Sequence, residues 1–290
     1  MITKQEIVSN INTEWLLSPE ELKEYRYGLC KFITDICQKI NLSHETASLA
    51  MLITNYFFIK NCYFNYDKLT IACAALLLSS KNETSQSKFN DICKEFSTIQ
   101  PQGIGSEGLH RIKEYIGKYE ITLLKQLNYN VPEDFPYDLI YGYSELLYPD
   151  NSQEISNIAI KIANDSYFTY ANNIYQSHAV SLSCLVIAAK FLDIPTIMDE
   201  NFKHIDNMRK INKKNLSLEE FNRALNQYDN QNMKKNVNNN GVIKDIEEED
   251  YFQKLSFWQK LHPFLAVDDL LDCVEMIMEF YEDMNAKSNN

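Results

Sequence analysis

One stretch of this chain is spelled like a phosphate cradle. Gly103-Ile-Gly-Ser-Glu-Gly108 fits the G-x-G-x-x-G pattern, whose glycines let backbone amides approach a dinucleotide's pyrophosphate. That chemistry needs a strand before the glycines and a βαβ frame around them, so that a helix amino terminus meets the phosphate. Here the pattern follows Thr98-Ile-Gln-Pro-Gln inside sequence of helical period. Pro101–Gly108 is therefore read as a loop without nucleotide chemistry. The remaining reactive side chains are not assembled either. His44, His110, His178, His204 and His262 are scattered, with no H-E-x-x-H and no Cys/His grouping at zinc spacing. No serine stands in a G-x-S-x-G elbow. The pairs Glu20-Glu21 and Asp268-Asp269 fall in the first turns of predicted helices, where the macrodipole already favours acids. No catalytic residue, metal site or cofactor is assigned, and the chain is not expected to be an enzyme.

The seven cysteines (Cys30, Cys37, Cys62, Cys73, Cys93, Cys184, Cys273) are odd in number and form no C-x-x-C pair. They are read as small buried thiols in a reducing compartment. A formal charge of −12 disfavours binding to a nucleic-acid backbone, which relies on lysine and arginine displacing counterions. With 45% apolar residues the 290-residue chain can build an ample core, enough for two domains of ordinary size. Seven glycines and seven prolines are few for the turns an all-β fold needs. The first residues carry no basic-then-apolar leader, and Ser166–Ala189, the longest stretch free of Asp, Glu, Lys and Arg, is too polar to cross a membrane. The expectation is a soluble, intracellular protein without membrane partners.

The elements that must position any site are helices. Ser18-Pro19-Glu20-Glu21 is a capping box with proline at the first helical position, opening a helix to about Ile40. Ser43 can cap the next, whose Leu49, Leu52, Ile53, Tyr56 and Phe57 form a stripe at helical spacing. Leu69–Ser80 is almost entirely small or apolar, too continuously so for a surface helix, and belongs at the centre of its module. A buried strand could show the same run; its alanine content and length favour helix. Leu109–Tyr129 carries Ile112, Ile116, Tyr119, Leu123 and Leu127 inward, and Pro132 and Pro136 begin a link. Then come Glu154–Tyr170 and a second central helix, His178–Phe191. The Asn-rich 206–250 segment reads as a disordered insertion with one short helix, Ser217–Leu225. Phe252–Leu261 and Val267–Tyr281 read as closing helices.

This pattern is a duplication. Glu45–Lys81 returns without a gap, 109 residues later, as Glu154–Lys190, with seven of 37 positions identical, among them Asn55/Asn164, Leu76/Leu185 and Lys81/Lys190. The period is far too long for a solenoid unit. One helical module of domain size is used twice.

Several stretches of the two modules resemble the cyclin family. Glu24-Tyr-Arg-Tyr-Gly28 and Lys31-Phe-Ile-Thr-Asp35 are similar to its opening helix, Ala74–Glu83 to its central helix with a Lys-x-Glu ending, and Tyr119–Val131 to the last helix of its first box. Ala163-Asn-Asp-Ser166 is similar to the motif opening the second box in the transcription-type cyclins K and L. The resemblance implies an all-α fold of tandem five-helix cyclin boxes with flanking amino- and carboxy-terminal helices. Residues 1–40 would be a lead-in and the first helix of box one, 41–131 its remainder, 132–205 the start of box two, 206–250 the insertion, and 251–284 the closing helices. It implies a non-catalytic subunit in a heterodimer, activating a cyclin-dependent serine/threonine kinase in the nucleus, with the cytoplasm as a second location. The kinase would act on the RNA polymerase II tail or on elongation or splicing factors. A cell-cycle cyclin is the alternative, although the M-R-A-I-L docking patch of that branch is absent at Tyr27–Phe32. A transcription-factor-like cyclin fold binding DNA directly is disfavoured by the net charge.

By position, the resemblance implies kinase contacts at Lys81, Glu83, Glu120, Leu124, Tyr129 and Val131. Lys81 could equally serve as a cation at a helix carboxy terminus. Glu120 lies three, four and seven residues from Leu123, Leu124, Ile116 and Leu127, within the apolar arc of its helix, so its carboxylate needs a partner in the chain or on the kinase. Lys190, the repeat of Lys81, is read as structural. Where the family has two acids after its lysine, Asn82-Glu83-Thr84 keeps one.

Overall fold

The computed structural model describes residue 3 and residues 17–81, 88–99, 106–132, 134–196 and 266–288. Every regular element among the described residues is helical. Helices α1 (Pro19–Lys39), α2 (His44–Lys60), α3 (Lys68–Ser80), α4 (Lys88–Ile99) and α5 (Ser106–Gln126) make the first module. Helices α6 (Tyr137–Leu147), α7 (Ser152–Ser166), α8 (Ala171–Ile174), α9 (Ser177–Phe191) and α10 (Val267–Ser288) make the second. The local signals behave as their chemistry requires. Ser18 Oγ accepts the Glu21 amide at 3.2 Å while Glu21 Oε2 accepts the Ser18 amide at 2.8 Å, closing the capping box of α1. Ser43 Oγ accepts the Thr46 amide at 3.1 Å and starts α2.

Each module has its own core, organised on one helix with no polar face. In α3 every residue from Thr70 to Ser80 is buried, Ile71 to Leu76 completely. It packs against α1, α2, α4 and α5. In the second module α9 is buried from Ser177 to Ala189 and packs against α6, α7 and α10. Alanine, serine and cysteine on these two helices let neighbouring backbones come close, while each buried leucine or isoleucine contributes about 1.5–3 kcal/mol. The duplication is structural down to its register: α3 begins at Lys68 and α9 at Ser177, a separation of 177 − 68 = 109 residues. Between α2 and α3 a single 3-10 turn, Tyr63–Asn65, stands where the second module has α8.

The modules are joined by polar groups buried at their seam. Asn55, 3% exposed, donates to the carbonyl oxygens of Tyr167 at 3.1 Å and Thr169 at 3.3 Å. Asn173 donates to Leu52 O at 3.1 Å, and Arg26 Nε to Phe168 O at 2.8 Å. Tyr137 OH bonds Ser48 Oγ at 2.7 Å and donates to Asn164 Oδ1 at 2.8 Å. The identical Asn55 and Asn164 therefore both serve the seam, one as donor and one as acceptor. At the outer edge Lys23 Nζ meets Asp283 Oδ2 at 2.8 Å.

The expected boundaries shift in places. Helix α5 starts at Ser106, not Leu109, so Ser106–Gly108 is helical while 101–105 lie outside the described residues. It ends at Gln126 rather than Tyr129, because Asn128 and Tyr129 take left-handed φ of 51° and 58°. Glu154–Tyr170 is not one helix: Thr169 Oγ1 accepts the Ala171 amide at 3.0 Å, turning the chain into α8. Two helices, α4 and α6, were not anticipated, although Ile92, Cys93 and Phe96 supply α4 with an inward face. Helix α10 runs on to Ser288. The segments 206–250, Ser217–Leu225 and Phe252–Leu261 lie outside the described residues. All seven cysteines are buried and none forms a disulfide. No described helix is long and apolar enough to cross a membrane.

Candidate functional site

The carboxy terminus of α3 and the second half of α5 lie side by side and meet at one ion pair. Lys81, which caps α3, places Nζ on Glu120 Oε1. Glu120 is 8% exposed, buried by its position in the apolar arc of α5 between Ile116 and Leu123, both essentially inaccessible. The Lys81 side chain is 58% exposed. The pair thus ties a surface ammonium to an internal carboxylate. The carboxylate holds the ammonium by charge, and the exposed ammonium keeps N–H donors for a ligand. The partner that Glu120 requires is supplied within the chain.

Around this pair α5 presents apolar surface. Leu124 and Val131 are half-buried and pack on the first core. Tyr129 is 68% exposed. Its amide donates to Leu124 O at 2.8 Å and that of Asn128 to Lys125 O at 3.0 Å. These two bonds close α5 and fix the ring-bearing residue in a conformation that costs a bulky side chain strain. Asn61 braces the same end, donating to Phe57 O at 2.8 Å and Gln126 Oε1 at 2.9 Å. Of the six positions assigned from sequence, Lys81 and Glu120 touch, Leu124 and Tyr129 share a backbone bond, and Val131 follows in the same strand of chain. Glu83 lies outside the described residues.

Sequence reasoning missed Ile121. It is 53% exposed, directly after the buried acid. The signal was available: position 121 falls off the arc defined by residues 116, 120, 123 and 127, so an isoleucine there has no core to enter. Its module-two counterpart surface differs. Lys190 is exposed near the end of α9 with no acid paired to it among the described residues. No group of three or more metal-ligating side chains occurs among the described residues.

Residues 1–132 match the family described as the cyclin N-terminal domain. That match spans the first helical module. Among curated proteins it is 24% identical over 174 residues to cyclin-L1 of Danio rerio, covering 57% of this chain and 35% of that protein. It is 22% identical over 188 residues to cyclin-T1-2 of Arabidopsis thaliana, covering 62% and 40%. Over 177 residues it is 22% identical to cyclin-K of Homo sapiens, covering 60% and 30%. The chain therefore spans well under half the length of these relatives. Among solved structures, a chain of the yeast RNA Pol II CTD kinase CTDK-1 complex superposes with TM-score 0.59 at 18% identity, covering 69% of this chain and 65% of that one. A chain of the CAK complex from Chaetomium thermophilum bound to ATP-gamma-S gives 0.51 at 15%, covering 98% and 88%. At such identities the likeness is one of fold, shared with the tandem helical modules of this chain. The relatives named are those of the transcription-type branch that the sequence motifs resemble.

Proposed function

We propose that this cyclin is the regulatory subunit of a cyclin-dependent serine/threonine kinase of the transcription-regulating type. The observation that carries the proposal is the Lys81–Glu120 pair: a half-exposed cation held by a buried acid, on the helix that bears the exposed Ile121 and leads into the exposed Tyr129. Kinase activity requires an ion pair between a strand lysine and a glutamate on a mobile helix of the kinase. A rigid surface offering N–H donors and apolar anchors binds the inward position of such a helix better than the outward one. Its binding energy then shifts the kinase toward the active state. The cyclin contributes no reacting group.

The transcription branch and the nuclear location rest on the likeness to cyclins K, L and T and to a chain of a CTD kinase complex. The test is co-purification of the tagged chain, followed by a kinase assay on a polymerase-tail peptide. A bound kinase whose activity on that peptide depends on this chain is the expected outcome. Salt-sensitive DNA binding with no kinase bound would overturn it.

A further inference from the structure

The seam between the two modules contains an open cleft of about 300 Å³. Leu52 and Leu127 of the first module and Pro132 of the linker give it an apolar wall. Four carboxamides, on Asn130, Asn172, Asn173 and Gln176, also line it, and neither lysine nor arginine does. One of these amides is unfinished. Asn173 is 5% exposed and donates Nδ2 to Leu52 O at 3.1 Å, while its Oδ1 has no hydrogen-bond donor among the described residues. A buried amide oxygen left without a donor is costly, and few native groups are left so.

The lining narrows what can supply that donor. Without lysine or arginine it has no charge to hold an anion. Its one carboxylate, on Asp134, is already engaged within the chain, so it calls for no cation. The Tyr56 ring already faces Lys60 Nζ, 4.9 Å from its centroid, which disfavours a ligand that stacks there. What remains is a neutral N–H donor. A peptide group is one: it carries an N–H, a C=O and no charge. We infer that the inter-module cleft binds an uncharged, extended main-chain segment of a protein partner, with one backbone N–H donating to Asn173 Oδ1. The exposed amides of Asn130 and Gln176 can donate to the carbonyls of the same segment, and an aliphatic side chain can lie on the wall of Leu52, Leu127 and Pro132. None of the six positions assigned to the kinase lines the cleft, so this reading and the kinase reading fail separately.

The test titrates the isolated full chain, carrying isotope-labelled asparagine, with acetyl-Gly-Gly-Leu-Gly-Gly-amide. The side-chain carbonyl carbon of Asn173 is expected to shift downfield as its oxygen gains a donor. Methylating the peptide nitrogens one at a time should reveal one N–H whose loss weakens binding about tenfold, since the buried acceptor is then left bare again. Lysine or glutamate in place of the central leucine should weaken binding about fivefold, because the wall offers neither charge a partner. Acetyl-leucine amide, which has the side chain without the flanking peptide groups, should bind about tenfold more weakly than the pentapeptide. An unmoved Asn173 carbonyl up to the solubility limit of the peptide, no methylation costing more than about twofold, or a charged peptide binding as well as the leucine one would each overturn the inference. Equal binding of acetyl-leucine amide would overturn the assignment to a chain segment.

Discussion

Replacing Lys81 with methionine removes the ammonium from Glu120 and keeps most of the aliphatic stem. A fully exposed ion pair contributes about 0.2–1 kcal/mol, whereas stripping one partner from a fully buried pair costs about 3–5 kcal/mol. Here the acid is buried and the lysine is 58% exposed, so solvent screens the cation and the cost falls between those two ranges. Lys81→Met should cost about 1–2 kcal/mol, which for a chain of this size lowers Tm by about 2–8 °C. Glu120→Gln in the same background restores a neutral site, and the coupling energy from the double-mutant cycle should be about 0.5–1.5 kcal/mol. Urea unfolding of the isolated chain measures this part. Calorimetric titration with the purified kinase measures the other: Lys81→Met should weaken the complex about 10–100-fold, the loss expected of a central interface contact. Coupling below about 0.3 kcal/mol would show that the pair does not form. Intact coupling with unchanged kinase affinity would show that the pair is purely structural, and the proposed site would be refuted. Glu120→Lys is a poorer probe, because two ammonium groups at a buried position should cost about 3–5 kcal/mol and disturb box one itself.

Other outcomes follow from the same packing. Asn55→Ala leaves two seam carbonyls without their donor and should lower stability by about 2–4 kcal/mol in urea unfolding; a cost below about 0.5 kcal/mol would mean that water replaces the amide. Burial pushes the Cys30 and Cys273 thiols up to about 12 and Cys93 to about 11, so at pH 8 all three are protonated. Native protein should label with a thiol reagent only as fast as it unfolds, and stoichiometric labelling of any of them within seconds would contradict this packing. Burial also raises the Asp165 carboxyl above its ordinary range, opposed by the hydrogen bond from Tyr281 OH at 2.8 Å. The folded state then holds the proton more tightly than the unfolded one, so Asp165 subtracts stability as pH rises from about 4. Asp165→Asn should therefore match or exceed wild-type Tm at neutral pH and lose that advantage below about pH 4; the opposite trend would place the charged form as the favoured one.

The fold was legible because its information is local and doubled. Long, alanine-rich apolar runs favour central helices over buried strands, as in α3 and α9, and two capping serines mark where α1 and α2 begin. The repeat at 109 residues set the pairing of elements before any contact was known. Helix ends were less legible. Nothing in the composition of Leu127–Tyr129 announces that a tyrosine accepts a left-handed backbone; that follows from the amide bond to Leu124 O, which exists only once α5 is packed.

For the site, the acid at position 120 was visible as a misfit in an apolar arc, which required a partner without naming it. Sequence could not decide between a residue of the chain and one of the kinase, because Lys81 and Glu120 are 39 positions apart and on different helices. The approach of α3 to α5 decides for the chain, and it also leaves Ile121 outside the core. The seam was equally unreadable, since Asn55, Asn164 and Asn173 look like ordinary polar residues until the two modules meet. Spacing along the chain governs what each helix buries. Only packing settles which buried polar groups find each other, because hydrogen bonds and ion pairs depend on distances of a few ångströms that the order of residues does not contain.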